Sequence, residues 1–312
     1  MLAALDSTAP PRTFIEVTEV WAPGPDGRLT RTSGIYGLLG GFEAASGETS
    51  FARGEGLPGK AWEEGRPVVL KGFRGSYFKR TEAAEAAGLT TAVAVPVFAG
   101  ETLKGVIVFL CADDAVRTGA IEIWRSDQGS AMKLEDGYFG AATHFEWVSK
   151  HTQFPRGQGL PGGVWASGAP MLMRDLGTGY RFIRAESAGK AGLTTGLGLP
   201  IEVPGEATYV VTLLSARGTP IAGRYELWDV VLGRAGAAPK AVRVDGICGR
   251  SGPLWASPRT ISPWEGPLGE VLATQTPLAR DEAPGLPEGF DAIVALPLHR
   301  GGELSHIAAW YF

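Results

Sequence analysis

The chain has 312 residues, and its 29 lysines and arginines against 33 aspartates and glutamates leave a formal net charge of −4. This balance argues against a dedicated nucleic-acid surface. The sequence has no run of about 18 apolar residues, which argues against a membrane-spanning helix. Cys111 and Cys248 are the only cysteines, with no Cys-x-x-Cys pair, so we expect a reduced, cytoplasmic setting.

Three stretches of the sequence repeat one another at a spacing of about one hundred residues, which is the length of a small domain. They share a Glu-x-Trp tripeptide (19–21, 122–124, 226–228), a Gly-x-Gly-Leu-Pro-Gly loop (54–59, 157–162, and a reduced copy at 264–269) and a proline motif (94–96, 198–200, 295–297). We therefore predict a disordered lead-in and three related domains, the third degenerate, with the bounds 1–13, 14–114, 119–218 and 222–312.

Each copy begins with two alternating stretches joined by a turn, as at 14–36, which predicts a β-hairpin. A longer polar connection leads to the glycine-rich loop, whose proline favours the start of a short helix. A short strand follows, and then an alanine-rich helix at 78–88 and 182–192. The third copy lacks this helix, because only eleven residues separate Pro277 from Gly289.

Two further strands close each copy, and the last of them is a nearly unbroken apolar run, as in Val106–Leu110. Such a run indicates burial on both faces of the sheet. The connections between copies, at 111–120 and 215–224, are too short to contain a covering helix. We therefore expect the back of each sheet to pack against another copy or another chain, so that the copies are tightly apposed.

This order of hairpin, glycine-rich loop, short helix, strand, alanine-rich helix and closing hairpin resembles the GAF domain, a PAS-like sensor fold. The residues that carry the resemblance are Gly54–Pro67, Phe78–Leu89 and Ala94–Val97 in the first copy, and 157–170, 182–193 and 197–201 in the second. The resemblance implies an α/β (α+β) fold of three GAF-like domains, each a mainly antiparallel central sheet with helices on one face.

GAF domains of bacterial signalling proteins bind small molecules or dimerise. The resemblance therefore implies a non-enzymatic sensory protein that binds a small molecule and acts on a separate signalling partner. It allows a homodimer, and it implies neither a nucleic-acid partner nor a membrane. The cofactor is left open, because the motifs of the cyclic-nucleotide, bilin and sulfoxide-reductase subclasses are not visible. The alternative is a structural or scaffolding protein that uses GAF-like sheets for assembly without a ligand.

The sequence predicts no catalytic residues, because no nucleophile–base–acid set recurs among the copies. It predicts no metal site either, since His144 and His151 flank an aromatic patch without the acids or cysteines of a good ligand set. The repeated Trp21, Trp124 and Trp228 share a strand face with an acid, which suits a domain interface better than a deep core.

Arg80 and Arg184 occupy the same place in two copies, on a helix that covers the ligand pocket of the fold that the chain resembles. We predict that they bind a carboxylate or phosphate group of a ligand in bidentate geometry. The alternative is an ion pair of each arginine with a nearby acid such as Glu82 or Glu186.

Four further residues of the second copy complete the predicted ligand site. Asp175 follows the short strand, and with Tyr180 it makes this copy the better-equipped pocket. Gly157 and Gly159, in the glycine-rich loop, could bind an anion through exposed backbone amides at a helix start. The alternative is a tight loop that lets helix and strand pack closely.

Overall fold

The computed structural model describes residues 13–112, 115–127, 129–178, 182–233, 237–256 and 259–312. The predicted lead-in at residues 1–13 lies outside these ranges except for Thr13. No helix in the described residues is long and apolar enough to cross a membrane. The secondary structure falls into three parts, which we call the N-terminal segment (14–112), the middle segment (118–216) and the C-terminal segment (224–311).

The elements of the N-terminal segment are β1 (Val17–Pro23), β2 (Leu29–Ile35), α1 (Gly40–Gly47), β3 (Ser50–Phe51), α2 (Gly56–Glu64), β4 (Val68–Lys71), α3 (Thr81–Ala86), β5 (Leu89–Ala99) and β6 (Thr102–Ala112). Those of the middle segment are β7 (Thr118–Ser126), β8 (Ala131–Gly140), α4 (Thr143–Lys150), β9 (Gln153–Pro155), α5 (Gly159–Ser167), β10 (Met171–Arg174), α6 (Ala185–Lys190), β11 (Leu193–Ile201) and β12 (Thr208–Ala216). Those of the C-terminal segment are β13 (Arg224–Val231), β14 (Lys240–Cys248), β15 (Gly252–Pro253), β16 (Thr260–Ile261), α7 (Gly266–Thr274), β17 (Leu278–Asp281), β18 (Ala292–Arg300) and β19 (Glu303–Tyr311).

The strands follow the same order across the sheet of each segment, namely β2-β1-β6-β5-β4, β8-β7-β12-β11-β10 and β14-β13-β19-β18-β17. Neighbouring strands within a segment are antiparallel. β17 pairs in parallel with β2, so the N-terminal and C-terminal segments share a 13-stranded sheet, whereas the middle segment has a 6-stranded sheet. The result is a mixed α+β fold of the GAF type, mostly sheet with few helices, which confirms the predicted fold class.

The helices differ from the prediction at two places. α1 and α4 lie where the sequence predicted only a polar connection. α1 begins with two glycines, which are poor helix formers, and it is held by Phe42 and Ser46, which lie one turn apart and are both buried. The alanine-rich helix is shorter than the predicted 78–88, because Phe78 and Arg80 are buried in the turn that precedes α3.

Strand β6 shows why its sequence is an unbroken apolar run. Val106, Val108 and Leu110 lie in a core on the helix side of the N-terminal sheet. Ile107 and Phe109 face the opposite side, because successive side chains of a strand point to opposite faces. Both faces of this strand are therefore buried, as the sequence predicted.

The face opposite the helices belongs to one central core that all three segments build together. Val95, Leu199 and Leu296 come from corresponding strands, and all lie in this core. Each segment also keeps a separate core on its helix side. The prediction that the sheets pack back to back is thus confirmed, and the cover comes from the same chain.

The repeated tryptophans lie in the helix-side cores. Trp21, Trp124 and Trp228 are each fully buried, one in each of the three cores. The prediction that they sit at a domain interface was wrong. The acid on the same strand face does not mark an interface, because it is itself buried and neutralised inside each segment, as described below.

The segments contact one another in a cycle. Lys71 of β4 forms an ion pair with Asp136 of β8, with Nζ 3.2 Å from Oδ1. Arg174 of β10 forms an ion pair of 2.6 Å with Asp245 of β14. The third junction is the parallel pairing of β17 with β2. Each junction joins the short strand of one segment to the second strand of another, so the third junction closes the ring.

Candidate functional site

A buried glutamate on the first strand of each segment is the centre of a polar cluster. In the N-terminal segment, Arg80 binds Glu19 with both terminal nitrogens, and Nη2 lies 2.8 Å from Oε2. Ser46 and Tyr36 donate their hydroxyls to Oε1 at 2.6 and 2.9 Å. The indole Nε1 of Trp21 donates to Oε2 at 3.0 Å. Side chains thus surround both oxygens of this carboxylate with donors.

The middle segment repeats the cluster. Arg184 donates from Nη1 to Glu122 Oε1 and from Nη2 to Oε2, the latter at 2.9 Å. Thr212 and Trp124 donate to Oε2 at 2.8 and 3.0 Å. Ser149, on α4, accepts a further hydrogen bond from Arg184 Nη1, as Ser46 does from Arg80. The missed helices α1 and α4 therefore each supply a partner to an arginine.

Aromatic rings enclose the guanidinium group of Arg184. Its Cζ lies 4.5 Å from the ring centroid of Phe145, 5.2 Å from those of Phe182 and Trp124, and 5.4 Å from that of Phe154. Only 1% of the arginine side chain is exposed. The space between the sheet and the covering helix is thus filled by the protein's own side chains, held by cation–π contacts and the ion pair.

The alternative, an ion pair of each arginine with an acid, is present in both segments, but the partners are Glu19 and Glu122. Glu186 pairs with Lys190 at the surface, with 2.7 Å between Nζ and Oε1. The partner of Arg184 is Glu122, 62 residues away, because the arginine turns inward toward the sheet. An anionic ligand at Arg80 or Arg184 would have to compete with a buried carboxylate, so the ligand role of these arginines stays a prediction that this geometry does not favour.

The electrostatics of the two clusters follow from burial and pairing. Burial raises the pKa of Glu19 and is the largest single effect, but Arg80 and the hydroxyl donors together outweigh it, so the pKa lies below its usual value. The same balance, with Arg184 as the cation, lowers the pKa of Glu122. Both carboxylates are therefore ionised at neutral pH.

The other predicted ligand residues of the middle segment do not join Arg184 in one open site. Asp175 is exposed and has a left-handed backbone conformation, with φ of 56°, whereas Arg184 is buried. Tyr180 lies outside the described residues. A ligand role for these residues stays a prediction.

Gly157 and Gly159 lie where helix α5 begins, and both have positive φ, 87° and 61°. A Cβ at Gly159 would lie 2.5 Å from the ring of Phe154. Gly157 donates its N–H to the carbonyl of Gly162 at 2.7 Å. The glycines therefore allow a strand and a helix to approach closely, which favours the packing interpretation over an anion site.

The C-terminal segment neutralises its glutamate differently. Arg224 Nε and Arg243 Nη1 donate to Glu226 Oε1 at 2.9 and 2.7 Å, and the Tyr311 hydroxyl donates to Oε2 at 2.7 Å. These partners come from strands, since the described residues of this segment contain no counterpart of α1 or α3. Trp228 Nε1 has no hydrogen-bond partner among the described residues, unlike its two counterparts.

A cavity of about 130 Å³ lies between α7 and the sheet of the C-terminal segment. Its lining residues are Arg259, Ile261, Glu265, Gly266, Pro267, Leu268, Gly285, Leu286, Pro287, Ile293 and Tyr311. None of the ligand residues predicted from the sequence lines this cavity. The signal that could have found it is the missing helix between Pro277 and Gly289, which removes side chains that fill the other segments.

The cavity lies where the N-terminal segment is filled. Ile261 and Gly266 occupy the places of Phe51 and Gly56, at the end of the short strand and the start of the following helix. In the N-terminal segment, the guanidinium carbon of Arg80 lies 5.9 Å from the Phe51 ring. Among its described residues, the C-terminal segment has no counterpart of α3 or of the arginine that precedes it, and the equivalent space is open.

Cys111 and the metal-ligating residue types give no further site within the described residues. Burial raises the pKa of the Cys111 thiol, so this residue is not a thiolate at neutral pH. Within the described ranges, no group of three or more histidine, cysteine, aspartate or glutamate residues could hold a metal ion. The His151 ring contacts the carbonyl of Trp147 through Nδ1 at 2.7 Å.

The GAF domain family model matches residues 20–122 of the chain. Similar solved structures include an Aquifex aeolicus NLH2 GAF domain in an inactive state, with 22% identity, a TM-score of 0.26, and coverage of 32% of this chain and 59% of that chain. A Staphylococcus aureus NreA protein mutated in its nitrate-binding site matches with 15% identity, a TM-score of 0.27 and coverage of 32% and 76%. The GAF domain region of a Geobacter sulfurreducens PCA protein matches with 16% identity, a TM-score of 0.26 and coverage of 31% and 64%.

The chain thus spans less than two thirds of the length of the Aquifex structure. No curated protein resembles it closely enough to count as a match. GAF domains commonly act in sensing and signalling, and residues 20–122 of the chain match the GAF domain model.

Proposed function

We propose that the chain is a non-enzymatic sensory protein that binds a small molecule and acts on a separate signalling partner in the cytoplasm. We further propose that it consists of three GAF-like domains with the bounds 14–114, 119–218 and 222–312. The support is the GAF domain match at 20–122 together with the recurring order of strands and helices in the three segments.

The observation that carries the proposal is the cavity of the C-terminal segment. The N-terminal and middle segments fill the space between sheet and helix with Arg80 and Arg184. The C-terminal segment leaves about 130 Å³ open in the same place. A concave site with apolar walls and a few polar groups is the usual form of a small-molecule site.

The walls indicate the chemistry of the ligand. Ile261, Leu268 and Leu286 offer apolar surface, and Arg259 lies at the same cavity. Its guanidinium is close enough to Tyr311 to affect the pKa of that hydroxyl. We therefore expect a small, mainly apolar molecule with one anionic group, oriented by the arginine.

Native mass spectrometry of the purified full chain tests the proposal. We expect an added mass that disappears on denaturation. Leu286→Trp fills the cavity and Arg259→Ala removes the cation, so both variants should lose the added mass. Arg53→Ala is the control, because this exposed arginine lies between β3 and α2 of the N-terminal segment and does not line the cavity. A bare mass for the wild type, or an added mass that all variants retain, would contradict the proposed site.

The second candidate is an assembly function without a ligand. Two observations favour it: the arginine-filled interiors of two segments and the cyclic contacts among all three. It predicts that the wild type carries no added mass and that the same spectra show more than one subunit. A monomer with a retained small molecule would reject it.

A further inference from the structure

The loop that connects β17 to β18, residues 282–291, occupies the place that α3 and α6 have in the other two segments. Its middle, from Gly285 to Pro287, forms one wall of the cavity beside α7. Arg259 and the first turn of α7 belong to the other walls. A ligand in that cavity would therefore contact this loop, which we call the cavity loop.

Both ends of the cavity loop are fixed to the rest of the segment. Glu282 donates its N–H to the carbonyl of Asp291 at 2.7 Å, which closes the loop at its base. Asp291 donates its own N–H to the carbonyl of Phe312 at 2.9 Å. Ala283 and Phe290, which come next to the base on either side, are both buried. A motion of the loop must therefore pivot about this base.

The middle of the cavity loop is held more weakly than its ends. From Ala283 to Gly289, no backbone N–H donates a hydrogen bond to another described residue. Glu282, Gly285 and Gly289 have positive φ, of 48°, 79° and 78°. This conformation is strained for Glu282, which carries a side chain. Few internal hydrogen bonds and local strain are the features of a segment that opens without unfolding its surroundings.

The corresponding stretch of the middle segment is fixed in place. Arg184, which precedes α6, forms a buried ion pair with Glu122. Opening that stretch would break the ion pair and leave a buried charge without its partner. Opening the cavity loop would instead move Leu286, which is already partly exposed. The same place in the fold is therefore rigid in one segment and free to open in the other.

One side chain holds the cavity loop from outside. The guanidinium carbon of Arg250, in the turn that follows β14, lies 5.3 Å from the ring centroid of Phe290. A Cβ at Gly289 would collide with Nη1 of this arginine, so the guanidinium lies directly against the loop backbone. Arg250 is itself exposed, and a cation–π contact of an exposed arginine is weak. The arginine can therefore hold the loop and release it at a small cost.

We propose that the cavity loop is a lid of the cavity beside α7. It opens about its base at Glu282 and Asp291 to admit the ligand, and Arg250 holds it closed. The lid rests on the proposed function, because it serves the same cavity. Opening does not require a bound ligand, so the lid and the ligand site can fail separately. Exchange of the ligand is then limited by the opening of the loop.

The first test measures opening without a ligand. Leu286→Cys places a thiol on the loop, and its modification by N-ethylmaleimide in the full chain is followed by mass spectrometry. We expect Arg250→Ala to raise the modification rate about two- to fivefold, which is the loss of an exposed cation–π contact expressed as a ratio. Arg53→Ala, the same change at an exposed arginine between β3 and α2, should leave the rate unchanged. Equal rates with and without Arg250 would overturn the proposal.

The native thiols need a control, because Cys248 lies two residues before Arg250. Cys248 is 4% exposed and Cys111 is fully buried. Arg250→Ala in the chain that keeps Leu286 measures any reaction at these two thiols, and this rate is subtracted. A gain in rate that disappears on subtraction would also overturn the proposal.

The second test uses para-fluorobenzoate, a small apolar probe with one anionic group, and follows its exchange with the full chain by fluorine NMR. Arg250 does not line the cavity, so Arg250→Ala should raise the association and dissociation rates together, each about two- to fivefold. Arg259→Ala should instead weaken the binding itself. Binding with unchanged exchange rates in Arg250→Ala would overturn the lid and keep the ligand site. Faster thiol modification without any binding of the probe would support the lid and count against the proposed ligand.

Discussion

The N-terminal and C-terminal segments share one sheet, and each has a buried glutamate on its first strand. The counter-charge of this glutamate comes from a different place in the two segments. Glu19 is neutralised by Arg80, which reaches inward from the turn before helix α3. Glu226 is neutralised by Arg224 and Arg243, which lie on the strands beside it. Arg80 lies between the sheet and the helices of its segment, whereas the C-terminal segment has a cavity of about 130 Å³ beside α7. The two segments thus differ both in the source of the counter-charge and in the filling of this space.

The largest expected effect is the loss of an inward arginine. Arg184→Ala leaves Glu122 buried and uncompensated, which we expect to destabilise the protein by about 3–5 kcal/mol. The measurement is urea unfolding. Lys190→Ala, which breaks an exposed pair with Glu186, should cost less than about 1 kcal/mol. The double variant Glu122→Gln, Arg184→Met should recover part of the loss, and a loss equal to that of Arg184→Ala would argue against the charge explanation.

Trp124 and Trp228 follow the buried glutamates of their strands by two residues. Replacing each tryptophan by phenylalanine should change the stability of the protein by different amounts. Trp124 donates to Glu122 at 3.0 Å, whereas Trp228 Nε1 has no partner in the described ranges. Trp124→Phe should therefore cost about 1.5–3 kcal/mol more than Trp228→Phe, since a hydrogen bond to a charged group is lost only in the first. Equal losses of unfolding free energy in the two variants would show that the hydrogen bond of Trp124 does not stabilise the protein.

Acidic pH should weaken the buried ion pairs of the N-terminal and middle segments. The pKa values of Glu19 and Glu122 are lowered in the folded protein. Their stabilisation is therefore fully present above the unfolded pKa of about 4.3 and is lost as the pH falls through the lower folded pKa. Thermal unfolding between pH 7 and pH 3 should show this fall. The Glu122→Gln, Arg184→Met variant should show a shallower acid slope, and an unchanged slope would contradict the assignment.

The smallest change in the free energy of unfolding is expected from a substitution at Trp264, which has φ of 68° and is 71% exposed. Gly54 and Gly157 occupy its place in the other segments. Left-handed backbone costs a non-glycine residue about 1–2 kcal/mol, and the entropy of an added glycine offsets about 0.4–1 kcal/mol of that. Trp264→Gly should therefore stabilise the chain by about 0.5–1 kcal/mol in urea unfolding, while Gly157→Ala should destabilise it. A destabilising Trp264→Gly would mean that the indole contributes packing.

Local patterns were enough to predict much of the fold. The alternating stretches, the glycine-rich loop and the unbroken run at Val106–Leu110 report which residues of a strand or turn are buried, and burial leaves a periodic signal. α1 was not predicted because its glycines give it a low helix propensity. The helix depends instead on the burial of Phe42 and Ser46 against residues far away in the chain. The partner of Arg184 was missed for a similar reason, since Glu122 lies 62 residues away.

The sequence by itself determined the order of the elements, the strands buried on both faces and the missing helix of the third copy, because each depends on neighbouring residues. The tertiary structure decided which charges meet, which spaces are filled and how the three sheets share one central core. These depend on contacts between residues far apart in the chain, and no local pattern records them. The cavity beside α7 belongs to this second class.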